Sequence, residues 1–216
     1  MPGDSWQRIA LTEILKCSTL FQVLAKDHIK WIQGDGGPAV VLQASAAAQW
    51  QGAAPFDDSL MSGSVETDYD VICRCEDGVT IIERYGRDML VLSDSEWATC
   101  FVPSTRGEAV IVQWFGSDSE VGDLVDRLTA APPSESFRFA VRDSVLRLLV
   151  GGDDGEGTMC GFLETQVIPG EKVCEVYYSD EAQLVVVRPA EQGLEMATER
   201  GRMPPNIPVR RPRMDS

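Results

Sequence analysis

Between Ala39 and Arg188 the chain is chopped into short apolar runs, nearly all of them stopped by turn residues before a helix could complete. Ala39-Val40-Val41-Leu42 is launched from the turn Gly34–Pro38. Val79–Glu83 and Met89–Leu92 are joined through Tyr85-Gly86-Arg87, and Ala98–Val102 and Ala109–Phe115 flank Thr105-Arg106-Gly107. After Pro132-Pro133 the pattern resumes with Phe137–Val141, Val145–Val150, Leu163–Ile168, Val173–Tyr178 and Leu184–Arg188. Runs of this length, bounded by Gly, Pro, Asp and Ser, read as strands, and close succession along the chain favours antiparallel neighbours.

Helical signals are few. Ser117-x-x-Glu120 is a capping box followed by Val121, Leu124, Val125 and Leu128 on one face, with Pro132-Pro133 as the stop. Ser45 is placed to cap a short Ala46–Trp50 helix. At the start, Asp4-x-x-Gln7 precedes a stripe of Ile14, Cys17, Phe21, Leu24 and His28, widened by Leu11, Leu15 and Val23. The predicted class is α+β: a mainly antiparallel sheet or sheets, an N-terminal helix and one well-defined mid-chain helix. Residues 1–30 form the helical extension. Residues 31–189 form the core, as one sheet system or two subdomains meeting near residue 132. Residues 190–216 gain Pro and Arg, lose periodicity, and are predicted to be a disordered tail.

A chain of 216 residues with 44% hydrophobic content can build one sizeable core. Its 34 acidic and 19 basic residues leave a formal charge of −15, and the basic groups are unevenly placed. Five arginines sit after Glu199, so residues 1–199 carry 14 bases against 33 acids. Five acids and no base lie between Arg147 and Lys172. Such a surface repels nucleic acid and anionic membrane and attracts basic proteins, although the same charge also suits a merely soluble protein. Met1-Pro2-Gly3-Asp4 has no apolar stretch behind it, and no run is long enough to span a bilayer, so a cytoplasmic protein is expected. The six scattered cysteines then read as free thiols, and Cys73-x-Cys75 is too tight for a zinc knuckle.

Catalytic chemistry is hard to find. His28 is the only histidine and lies on the apolar stripe, so no histidine-based general base is expected. The Gly34–Pro38 turn lacks the Gly-Lys-Ser/Thr of a phosphate cradle. Asp153, Asp154 and Glu156 resemble half a calcium loop without its spacing and read as a solvated tip. Asp68-Tyr69-Asp70 leaves two readings open. Asp68 could cap a helix beside a packed Tyr69, or the three could meet a basic partner, where tyrosine is a frequent anchor. No catalytic residue, cofactor or metal is predicted. The candidate partner-binding residues are Asp57, Asp58, Asp68, Tyr69, Asp70, Asp118 and Glu120.

Several small motifs also occur in a fixed order: Trp31-Ile32-x-Gly34-x-Gly36-Gly37-Pro38, Trp50-x-Gly52, Asp68-Tyr69-Asp70-x-x-Cys73, Leu90-Val91-Leu92-x-Asp94, then Gln113-Trp114-Phe115 before Ser117-Asp118-Ser119-Glu120. In that order the chain resembles the immunity protein 21 family of bacterial polymorphic toxin systems, from about Trp31 to about Arg188. The resemblance implies a non-enzymatic cytoplasmic antidote whose partner is a cognate toxin domain. A carboxylate-based enzyme that reverses a toxin's modification, and an acidic mimic of nucleic acid, are the competing expectations.

Overall fold

The computed structural model describes residues 29–33, 37–53, 66–75, 78–93, 98–104, 108–114 and 120–190. The strands are β1 (Trp31–Ile32), β2 (Ala39–Gln43), β3 (Val79–Arg84), β4 (Arg87–Leu92), β5 (Ala98–Val102), β6 (Ala109–Trp114), β7 (Glu135–Val141), β8 (Val145–Val150), β9 (Phe162–Gln166), β10 (Gly170–Tyr178) and β11 (Ala182–Pro189). Three short helices accompany them: α1 (Ala44–Ala47), α2 (Asp68–Ile72) and α3 (Val121–Thr129). Six strands form one sheet in the order β1-β5-β6-β11-β10-β7, and five form a second in the order β3-β4-β2-β8-β9. Every pairing is antiparallel. Both sheets take strands from before and after Pro132-Pro133.

The expected α+β class is therefore corrected. The described chain is two antiparallel sheets of eleven strands with three short helices, and the predicted N-terminal helix lies outside the described residues, as does the tail from 191. The physical reason is visible in the core. Ile81 and Leu90 from one sheet pack with Ile111, Phe139 and Val185 from the other, so the sheets bury each other's inner faces and leave little for helices to cover.

What the helices do cover is the outer faces. On β2, Ala39 and Val41 point into the inter-sheet core while Val40 and Leu42 lie under α1, α2 and Trp50. Burial on both faces explains why β2 reads as a continuous apolar run and not an alternating one. On the other sheet, Leu124 and Val125 of α3 pack on Val102, Val110, Leu184 and Val186, joined by half-buried Ile29 and Trp114. The β3–β4 connection is a two-residue hairpin in which Tyr85 (φ 54°) and Gly86 (φ 67°) are both left-handed, matching the twist of the flanking strands.

The edge strand β7 is closed off by side chains. Ala140 donates its N–H to Asp88 Oδ2 at 2.9 Å, and its carbonyl accepts from Gln43 Nε2 at 2.9 Å. Arg142 N–H donates to Gln43 Oε1 at 2.7 Å. Buried Gln43 and Asp88 thus stand in for the neighbouring strand that this edge lacks.

Two cap assignments also change. Ser45 lies within α1 and its N–H donates to Asp143 Oδ2 at 2.7 Å; the N-cap is Gln43, with no side-chain bond. Glu120 is the N-cap of α3 and accepts the Leu124 N–H through its carbonyl at 3.0 Å, while Ser117 lies outside the described residues.

Candidate partner-binding site

The Asp68-Tyr69-Asp70 motif forms the first turn of α2, and its three members have three different fates. Thr67, not Asp68, is the N-cap. Asp70 N–H donates to Thr67 Oγ1 at 3.1 Å, and the Thr67 N–H and hydroxyl return bonds to Asp70 Oδ2, each at 2.8 Å. These bonds hold the Asp70 carboxyl below its ordinary range, the Thr67 backbone N–H contributing most. Asp70 itself is exposed.

Asp68 goes inward. Its side chain is 2% exposed and forms an ion pair with Arg84. Arg84 donates from Nε to Oδ1 at 3.1 Å and from Nη2 to the same oxygen. Tyr85 Oη donates to Oδ2 at 2.6 Å, and Gln51 N–H to the same oxygen at 3.0 Å. Burial, with the Asp68 bond second, pushes the Tyr85 phenol up to about 12, so it stays a donor at neutral pH. The carboxylate is fully occupied and ties the chain at Gln51, α2 and the β3–β4 hairpin together.

Tyr69 lies half-buried against the outer cluster on the second sheet. Its ring passes so close to Gly37 that a Cβ there would fall 2.2 Å from its hydroxyl, and it lies in ordinary contact range of Gly152, where a Cβ would stand 3.5 Å from the ring. Burial raises the phenol's pKa, with the neighbouring Cys73 thiol adding to it. The contact with Gly152 brings the 151–161 loop beside α2, a proximity that nothing in sequence spacing announces. The only sequence hint is the density of glycines in that loop, since small residues permit close backbone approach.

That loop is not a solvated tip. Asp153 is buried and accepts N–H bonds from Asp154 (2.9 Å), Met159 (3.1 Å) and Cys160 (2.7 Å). Asp154 accepts from the Thr158 hydroxyl at 2.6 Å and its N–H at 3.0 Å, which lowers the Asp154 pKa. These carboxylates are committed to the loop's own amides. Among the described residues no group of His, Cys, Asp or Glu could hold a metal ion.

Of the other candidates, Glu120 is exposed at the start of α3, on the sheet opposite to the one that α2 covers. Asp57, Asp58 and Asp118 lie outside the described residues, as does His28. The structure thus keeps Tyr69 and Asp70 together at the surface of the second sheet, takes Asp68 into the interior, and sets Glu120 apart. Trp50 is buried and donates to Gly151 O at 3.2 Å; Trp31 packs edge-on against Trp114 with centroids 5.8 Å apart. All five cysteines within the described residues are free thiols, with Cys100 and Cys174 buried. No helix of the described chain is long and apolar enough to cross a membrane.

No curated protein and no solved structure matches this chain. A family model does, and its span runs from just before β1, through the Asp68 hub, to Asp154 in the glycine-rich loop. That model is described as immunity protein 21 and covers residues 30–154, more than half of the sequence, so the chain belongs to the immunity protein 21 family.

Proposed function

We propose that this protein is an antidote that binds one cognate bacterial toxin domain and neutralises it by occluding the toxin's active face. The family match over residues 30–154 carries this reading. Two properties support it. The formal charge of −15 draws a basic partner at long range and speeds encounter. The best candidate cluster, Asp68-Tyr69-Asp70, spends one carboxylate on an internal ion pair and the other on a helix cap, an arrangement suited to a rigid binding face. Tyr69 and Asp70, on the outer face of the second sheet, belong to the proposed contact surface, with Asp57 and Asp58; Glu120, on the opposite sheet, and its sequence neighbour Asp118 do not. The protein acts in the cytoplasm of the producing cell, without cofactor and without nucleic acid.

The test is survival. The toxin domain encoded beside this protein's gene is expressed in a bacterial host with and without the protein. Rescue of growth, together with a stable toxin complex on gel filtration, supports the reading. Rescue without a complex would favour enzymatic reversal of the toxin's damage, and no rescue would sink both.

A further inference from the structure

β9 closes one side of the second sheet, and its outward face carries Phe162, Glu164 and Gln166. These stand opposite Leu149, Arg147 and Val145 of β8. Neither α1 nor α2 packs over Phe162, which remains 37% exposed. Leading into it is the 151–161 loop, whose Met159 is 77% exposed, the highest of any large apolar side chain among the described residues. Nothing in the loop's own stability calls for an apolar side chain there. The loop is held through backbone N–H bonds to Asp153 and Asp154, to which the Met159 side chain contributes nothing.

Around these two side chains the acids outnumber the one base, which is itself paired. Arg147 lies beneath the Phe162 ring, 3.9 Å from its centre, and is spent on the Glu164 carboxylate and the Gly155 carbonyl. Glu156 and Glu164 face solvent beside it. From Leu148 to Glu171 the chain holds five acids and no base.

We infer that the outer β8–β9 face, with Met159 and Phe162 as apolar anchors inside an acidic rim, is the surface that receives the basic face of the toxin domain. The inference rests on the antidote reading above and says which surface does the binding. Methionine and aromatic side chains are enriched at interface cores, and an unbranched thioether adapts to a pocket of irregular shape. A loop already fixed by its own hydrogen bonds loses little freedom on docking. A second copy of the chain is disfavoured as occupant, because two such faces would bring like charges together.

The experiment titrates an inactivated form of the neighbouring-gene toxin domain against the full-length protein by calorimetry. Met159→Asp is expected to weaken binding by about 30-fold or more with an unchanged melting temperature, as for an interface hot spot. Ile168→Asp, two residues past the other end of β9 and also exposed, is expected to stay within about threefold of the parent. Met159→Ala and Glu156→Lys serve where Met159→Asp fails to fold, and both are expected to weaken binding. If the parent binds the toxin and these variants bind equally well, the surface is wrong while the antidote reading stands. If the parent does not bind, the antidote reading fails first. A parent that sediments as a dimer, with Met159→Asp monomeric and still binding toxin, would make the occupant a second copy and overturn the inference.

Discussion

Arg84 and Asp68, sixteen residues apart, close an ion pair that fastens the β3–β4 hairpin to α2, with the guanidinium Nε 3.1 Å from Oδ1. The pair is asymmetric: the carboxylate is buried, whereas a third of the arginine side chain remains exposed. Removing the carboxylate therefore strands the Tyr85 hydroxyl and the Gln51 N–H as well as the cation.

Asp68→Ala is expected to lower unfolding free energy by about 2–4 kcal/mol, the cost of several unsatisfied donors to a lost charge. Arg84→Ala should cost less, because water can reach part of the site. Urea denaturation of the two variants checks the order. An Asp68→Ala protein as stable as its parent would mean that water replaces the carboxylate readily.

Asp70 gives a prediction with a sign. Its carboxyl is held below the ordinary value by the Thr67 N–H, then the Thr67 hydroxyl. A depressed folded-state pKa stabilises the fold above the unfolded value of about 4, and that contribution fades as pH falls through the lower folded value. Asp70→Ala should therefore cost about 1 kcal/mol at pH 7, and the gap to the parent should narrow below pH 4. Melting curves at pH 7 and in the acid range would show it; a gap independent of pH would remove the carboxylate from the account.

Two glycines should respond in opposite directions. A Cβ on Gly155 would lie 1.6 Å from the Ala47 carbonyl oxygen, so Gly155→Ala must push the loop away from α1. A loss of about 3 kcal/mol or more is expected, in line with other severe overpacking. Gly122, inside α3, has open space around its would-be Cβ, so Gly122→Ala should gain up to about 1 kcal/mol from helix propensity alone.

Much of this architecture could be read locally. Ala98–Val102 and Val145–Val150 are strands with the bounds their apolar runs suggested, and Tyr85-Gly86 is the turn of a hairpin. Helix α3 follows its Val121–Leu124–Val125–Leu128 stripe. What could not be read locally was decided by distant pairing. Nothing near Ala109 reveals that β6 pairs with β11 near residue 187, and that pairing is what turns a set of strands into two sheets packed face to face. The same holds at the site. Asp68 looked like a surface or capping acid because its partners, Arg84 and Tyr85, come from a hairpin beyond the end of its helix. Asp153 sat in a run that looked solvated, yet the loop folds its amides onto that carboxylate.

Association with the toxin should be fast at low salt and slow markedly between about 0.01 and 0.5 M, as the screening length shrinks from about 30 Å to a few ångströms. Dissociation should change far less, since it is governed by short-range contacts. Stopped-flow mixing would separate the two. An association rate indifferent to salt would leave the charge of −15 to solubility alone.

The order of strands in the six-stranded sheet sets when that sheet can be completed. Two of its four inner strands, β10 and β11, are the last of its six in sequence, and without them β6 and β7 have nothing between them. A nascent chain must emerge to Pro189 before that sheet can be completed, so its closure depends on contacts between segments far apart in sequence. A chain cut short before Gly170 therefore keeps every strand up to β9 but loses the two that join β6 to β7, and with them the continuity of the sheet.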